Sequence, residues 1–365
     1  MHGGKPKLYL TSFRWIYCFR SNTAWAFAAL AVRHDGFIVA CLQQLQTRTR
    51  LYLSGQENSN NYFKGQEISN LLWASATLNA PAEGLMGSIG AYLRHISKHD
   101  DGKTSLQGIA SVFNRQELAN IAWSCAVFGE FPSDLMTFIY GGLLGRQNDP
   151  SDVAKVYRDG GIQQQAIMSL LYVQTAMDLC DSTSGLTLPP NFPEGWQQNT
   201  NPNGGSETNE LTLNTSVMQR SVSTAFKRIG FDHVEEHVIS MEGLASEYDV
   251  NLPPKAVEVL SIDIANVPRR IAIEVDGPAH FITSIDEEGG STGYTKINKS
   301  GRLEYQFTWT GDRQTFNGST AMKQTLLKKL GWKTINIPFW EWYRLEGPEE
   351  EDDYAKQLLR QHMDT

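Results

Sequence analysis

Apolar positions recur at i, i+3, i+4 and i+7 in two stretches of the N-terminal half, the spacing of one face of an α-helix. Ile68, Leu71, Leu72, Ser75 and Leu78 make the first stripe, and Leu118, Ile121, Ala122, Cys125 and Phe128 the second. The two stretches align without gaps: "YFKGQEISNLLWASATLNAPAEGLM" (62–86) lies over "VFNRQELANIAWSCAVFGEFPSDLM" (112–136). Identities include Gln66 with Gln116, Glu67 with Glu117, Asn70 with Asn120 and Trp73 with Trp123. Each helix is predicted to stop at a breaker, "NAP" or "FGEFP", with a second helix beginning near Ala82 or, N-capped, at Ser133. A two-helix unit buries its apolar face only by stacking on another, so the pattern predicts an α-solenoid over residues 57–180. A weaker third copy is predicted at 163–180, with Tyr172 near the tryptophan position, and "SKHDDGKTS" (97–105) reads as a polar excursion.

Beyond residue 210 the period changes. Residues 181–210 are dense in Pro, Gly, Asn, Ser and Thr, a composition that builds no core, and are read as a flexible linker. A helix is predicted at 215–230 with Gly230 at its C-terminal cap, and a strand at "HVEEHVI". The stretches 256–267 and 269–277 are β-branched and alternating, and a short turn between them predicts paired strands. A helix at 319–332 with Ser319 as N-cap and Gly331 as stop, the strand "KTINIPFWEWYRL" and a C-terminal helix complete the pattern. The fold class expected is α plus α/β: a helical repeat region followed by an α/β domain over 211–365.

Charge modifies the picture at one end. The chain of 365 residues has a net charge of −8, which argues against a uniformly basic nucleic-acid-binding surface. Residues 1–56 carry Lys5, Lys7, Arg14, Arg20, Arg33, Arg48 and Arg50 against the single acid Asp35, the balance of an organellar transit segment or of an ordinary N-terminal helix whose basic residues are solvated. The apolar run "TAWAFAALAV" is about half of what spans a bilayer, so no membrane insertion is expected. Cys18, Cys41, Cys125 and Cys180 lie far apart, which argues against a disulfide framework or a zinc site.

The candidate chemistry lies in the second half. Glu274 and Asp276 are two apart on a predicted strand and therefore share a face. Asp263 lies on the neighbouring strand, and His280 follows the turn at Gly277 and Pro278. Three carboxylates converging there would suit Mg²⁺ and phosphodiester hydrolysis, the metal polarising phosphate and activating water. The same residues also suit a structural corner in which His280 caps the turn.

These residues carry a resemblance. "IAIEVDGPAHF", followed after an insert by "NGSTAMKQTLLKKLGWKTINIPFWEWYRL", resembles the RAP domain, a module of organellar RNA-metabolism proteins, over roughly 256–346. Upstream, "EISNLLWASATL" and "ELANIAWSCAVF" are similar to octotricopeptide repeats and to the repeats of FAST-kinase-like proteins. The RAP domain is in turn similar to very-short-patch-repair endonucleases of the PD-(D/E)XK superfamily, which place Asp on one strand and E-x-K on the next. Asp263 and Glu274 match the first two positions, but Asp276 stands where the lysine belongs. An active nuclease would need a replacement, Lys323 from the following helix or His280 as general base.

The resemblance implies an organellar RNA-binding protein, of the mitochondrial matrix or, alternatively, the chloroplast, acting in transcript processing, stability or translation. Its implied partners are single-stranded organellar RNA and ribonucleoprotein or ribosome-associated proteins, and it needs no cofactor. Alternatives are a nuclease holding Mg²⁺ on Asp263, Glu274 and Asp276 with His280, or a non-catalytic scaffold. Expected RNA contacts are Lys296, Lys299, Arg302 and Arg313, interleaved with Tyr294, Tyr305, Phe307 and Trp309, since basic and aromatic residues together suit single strands. Lys323 and Lys328 are added from the next helix, and Asn70 and Asn120, with Gln66, Gln116 and Arg115, are candidates for base edges. Trp73 and Trp123 adjoin the apolar stripe, where packing between helices is favoured over base stacking.

Overall fold

A computed structural model describes residues 20–56, 63–80, 82–96, 105–145, 150–151, 153, 163–180, 185–189, 192–193, 216–239, 260–285, 291–299, 302–308 and 315–363. The N-terminal part is built from α1 (20–29), α2 (Asp35–Leu53), α3 (Gly65–Thr77), α4 (Leu85–Ile96), α5 (Leu106–Val112), α6 (Arg115–Phe128), α7 (Ser133–Leu144) and α8 (Gln164–Leu179). The recurring glutamate explains where α3 and α6 begin. Glu117 accepts from the Asn114 backbone N–H at 2.9 Å while Asn114 Oδ1 accepts from the Glu117 N–H at 2.9 Å, a reciprocal cap, and Glu67 accepts from the Lys64 N–H at 3.0 Å. Gly129, with φ 66°, ends α6 in the left-handed conformation that glycine adopts without a Cβ clash. At α7 the cap position is Pro132, and Ser133 is the first helical residue.

The helices form two layers. α3, α6 and α8 lie side by side in one, and α2, α4 and α7 in the other. Ile68, Leu72, Leu118, Ile121, Ala122 and Cys125, the sequence stripes, are buried between them. α1 joins the first layer: Ala24 and Ala28 enter the same core, and Asn70 Nδ2 donates to Asn22 Oδ1 at 3.3 Å. The stretch read from its charge balance as transit-like is, from residue 20 onward, part of the packed body, since Ala24 and Ala28 lie in its core; residues 1–19 lie outside the described residues. Leu188 and Phe192, inside the stretch read as linker, are also buried in this core, whereas residues 97–104 of the polar excursion lie outside the described residues.

The C-terminal part holds a mixed sheet of β2 (Val234–Val238), β3 (Ser261–Asn266), β4 (Ile271–Asp276) and β8 (Lys333–Pro338), in that spatial order. β2, β3 and β4 pair antiparallel, and β8 adds to β4 in parallel. A parallel neighbour needs a crossover, here α10 (Gly318–Lys329). Asn317, not Ser319, caps it, its Oδ1 accepting from the Thr320 N–H at 2.9 Å, while Ser319 Oγ donates to Asn317. All six residues of β4 are buried, since both faces are covered. Ile264, Ile271, Ile273 and Ile337 pack against α9 (Val217–Arg228), the short α11 (Phe339–Trp342) and α12 (Pro348–Met363). The other face, with Ala265 and Ala272, meets Met322, Leu326 and Leu327 of α10 in the core that continues into the helical layers. The sequence strand 333–345 thus ends at Pro338 and turns into a helix.

α10 rests across α3, α6 and α8, so the two parts share one core. The approach is close at Gly318, where a Cβ would overlap the Ala76 carbonyl oxygen. A second sheet carries β1 (Val32–His34), β5 (Thr283–Ile285), β6 (Ser291–Lys299) and β7 (Arg302–Thr308), and β1 pairs with β5 in parallel. Arg33 fastens β1 to the end of α3 by donating to the carbonyls of Leu78 and Asn79 at 3.1 and 3.2 Å. No helix among the described residues is long and apolar enough to cross a membrane.

Candidate functional site

The register of β3 and β4, with Ile264 opposite Ile273 and Ala265 opposite Ala272, places Asp263 beside Glu274. Glu274 and Asp276 leave β4 toward α10, the face opposite Ile273 and Val275. Lys323 reaches down from α10, and its Nζ lies 2.5 Å from Glu274 Oε2. Asp263 Oδ2 turns back to accept from the Val275 backbone N–H at 2.8 Å. Asp276 is occupied on both oxygens: His280 Nδ1 lies 2.9 Å from Oδ1, and Asn336 Nδ2 donates to Oδ2 at 2.7 Å. An acceptor carboxylate at that distance selects the imidazole tautomer protonated at Nδ1.

Burial sets the protonation of this corner. Glu274 is 3% exposed, and burial pushes its carboxyl up to about 8, against the downward pull of Lys323. Asp263 is likewise raised by burial, again opposed by Lys323. Burial works against the charge of Lys323, but Glu274 and Asp263 hold its pKa above the ordinary lysine value. Glu274 Oε1 is buried without a hydrogen-bond partner among the described residues, as a protonated, neutral carboxyl tolerates better than a charged one.

Among the described residues no group of three His, Cys, Asp or Glu side chains is disposed to hold a metal ion. The sequence pattern suggested a Mg²⁺ cage of Asp263, Glu274 and Asp276. In the fold these carboxylates are neighbours that point at different partners: a backbone amide, a lysine, and a histidine with an asparagine. The arrangement does not fit a shared cation. Lys323, expected among the RNA contacts, is engaged with Glu274, the place it would hold as the replacement for the missing E-x-K lysine.

Of the other expected residues, Lys328 is exposed on the last turn of α10. Lys296 stands opposite Tyr305, and Lys299 opposite Arg302, in the β6–β7 pairing. Arg313 lies outside the described residues. Asn120 is held between helices, donating to Ser69 Oγ at 3.3 Å and accepting from Gln116 Nε2 at 2.9 Å. Arg115, expected at the surface, is buried beneath the Val153 segment. Two features escaped the sequence reading. Asn336 was visible as the lone amide in the apolar run "INIP", but its partner emerges only from the parallel register that sets it opposite Glu274. Asn22-x-x-Trp25 repeats the spacing of Asn70-x-x-Trp73 and Asn120-x-x-Trp123, and was obscured by the basic, acid-poor composition around it.

Residues 273–358 match the family described as RAP domain. The chain carries a RAP domain. The match begins within β4 and runs into α12, so the RAP domain holds Glu274, Asp276, His280, Lys323 and Asn336, while Asp263 lies just ahead of it. A RAP domain-containing protein, chloroplastic, of Oryza sativa subsp. japonica is 21% identical in an alignment of 320 residues that covers 81% of this chain. The chain spans 41% of the length of that protein.

Proposed function

We propose that this RAP-domain protein binds single-stranded RNA in an organelle and acts in processing, stability or translation of transcripts. The observation that carries the reading is the state of the acidic corner within the RAP domain. Asp276 is spent on His280 and Asn336, and Lys323 sits on Glu274, so the corner is organised to hold a conformation and not to gather a catalytic cation. The likeness to PD-(D/E)XK endonucleases then describes ancestry of shape, with the E-x-K lysine moved to the crossover helix. The helical layers, read as octotricopeptide-like repeats, supply the surface along which a strand would lie. The chloroplastic designation of the Oryza sativa relative supports the plastid over the mitochondrion.

The test is binding of the purified full chain to mixed-sequence single-stranded RNA at stated salt, beside a control protein of equal net charge. Saturable binding that weakens with salt is expected, since phosphate contacts release counterions. Affinity no better than that of the control retires the reading. Crosslinking in cells followed by RNA sequencing then identifies transcript and compartment together.

A further inference from the structure

Three indoles stand in line on successive helices of the first layer. Trp25 of α1 and Trp73 of α3 have ring centroids 6.3 Å apart with planes inclined by 29°, and Trp73 and Trp123 of α6 are 6.5 Å apart at 39°. Each is three residues after an asparagine, Asn22, Asn70 or Asn120. The neighbours of the rings along each helix, Ala74 and Ser75 or Ser124 and Cys125, are fully buried. The rings themselves are not: Trp25 is 49% exposed, and Trp73 and Trp123 are half-buried. Tryptophan placed for packing alone usually has its N–H bonded when buried. Here none of the three indole N–H groups bonds to a described residue, and none is among the buried unpartnered atoms.

We propose that Trp25, Trp73 and Trp123 form a stacking platform for unpaired nucleobases, a site that rests on the RNA-binding reading and gives it a location. The steps of 6.3 and 6.5 Å are about twice the ~3.4 Å rise of stacked bases, so the ladder is commensurate with every second base of a strand. Aromatic faces accept any base, which suits a protein reading single strands. The asparagines run beside the rings as a polar line. Asn70 Nδ2 is bonded to Asn22, while its Oδ1 accepts from no described residue and is placed to meet a base edge. The N-terminal end of the ladder is also the basic end of an acidic chain. Between residues 20 and 53 Arg33 pairs with Asp35, the one acid, which leaves Arg20, Arg48 and Arg50 in excess, and the Arg20 guanidinium is held by the neutral Gln44 amide. At the other end, α8 packs on α6 and carries the half-buried Tyr172. A protein partner or mere helix packing would use the same apolar area, and the experiment separates these from bases.

The purified full chain is titrated with a fluorescein-labelled mixed-sequence RNA and with an abasic strand of equal length and charge. Trp25→Ala removes the most exposed ring, and Trp25→Phe restores an aromatic face. Loss of one stacked base is expected to weaken binding of the RNA by roughly 5- to 150-fold in Trp25→Ala. Trp25→Phe recovers most of it, and the abasic strand binds parent and variant equally. Intrinsic tryptophan fluorescence of the parent is quenched by the RNA and not by the abasic strand. Should Trp25→Ala melt below the parent, Trp25→Leu, which keeps apolar bulk without a π-face, replaces it with the same expected loss. RNA binding that is unchanged in these variants and no stronger than abasic binding overturns the platform while RNA binding stands. A parent that binds neither strand overturns the underlying reading and the platform with it.

Discussion

Lys323 meets Glu274 across the space between the crossover helix and the central strand, with 2.5 Å separating Nζ from Oε2. Lys323 belongs to α10, which is also the helix that rests on the helical layers. One contact links the chemistry of the RAP domain to the body that carries the tryptophan ladder.

Lys323→Met leaves the buried Glu274 carboxyl without its hydrogen-bond partner. Because Glu274 favours its protonated form, the cost is that of an unsatisfied buried polar group, about 1–3 kcal/mol, and not that of an uncompensated buried charge. Glu274→Leu combined with Lys323→Met removes both polar groups and is expected to recover most of the loss. Denaturant unfolding of the two single variants and the double variant measures the coupling. Additive losses would show that the two residues act independently.

The same corner makes stability depend on pH. Glu274 titrates up to about 8 in the folded chain and near its ordinary value of 4.5 when unfolded. Between those values the folded state binds the extra proton, so stability falls as pH rises. Asp263 is shifted in the same direction by burial and adds to the decline. The raised pKa of Lys323 contributes stability that persists below its ordinary value of 10.5 and is lost only above it. Melting temperature is expected to drop from about pH 5 to about pH 8.5, and Glu274→Gln to flatten that slope in part. Equal slopes in parent and variant would place the pH dependence elsewhere.

Gly318 tests whether the two parts act as one body. Its φ is ordinary, so only space argues for glycine: a Cβ would overlap the Ala76 carbonyl and come within 2.9 Å of Val127 Cγ1. Gly318→Ala is expected to cost about 1–3 kcal/mol by overpacking. Gly277→Ala, where a Cβ meets nothing within 4 Å, is the control. Hydrogen exchange should show both the start of α10 and the end of α3 loosening in Gly318→Ala and neither in the control.

What the sequence disclosed follows from what each signal encodes. Helical stripes and the strand pattern depend on local spacing, so α3, α6, β3 and β4 were legible from Ile68, Leu118, Ile264 and Ile273. The side-by-side placement of Glu274 and Asp276 was legible too, since strand geometry alone puts them on one face. Their partners were not, because Asn336 lies 60 residues beyond Asp276 and meets it only through a parallel register. The packing of the N-terminal segment from residue 20 onward was not legible for a different reason: charge balance says nothing about packing, and Ala24 and Ala28 enter the core without a long apolar stripe to announce it. Arg115 was misplaced because an arginine is read as exposed by residue type, whereas its counterpart in the first unit, Gly65, is buried and the Val153 segment covers the same side of the second.

Cleavage assays address the acidic corner most directly. Hydrolysis of a phosphodiester by this class of site needs carboxylate oxygens free to share a divalent cation. Asp276 has both oxygens engaged, Asp263 turns one to the Val275 amide, and Glu274 favours its proton at neutral pH. Labelled single-stranded RNA and mismatched duplex DNA, incubated with Mg²⁺ or Mn²⁺, are therefore expected to remain intact, and Glu274→Gln to bind RNA as the parent does. Raising the pH past about 8 ionises Glu274, but the added charge falls beside Lys323, which neutralises it before any solvent cation can. Intact substrate is thus expected at high pH as well. Metal-dependent cleavage by the parent that vanishes in Glu274→Gln would show that the corner opens in solution, and would return the site to the nucleases.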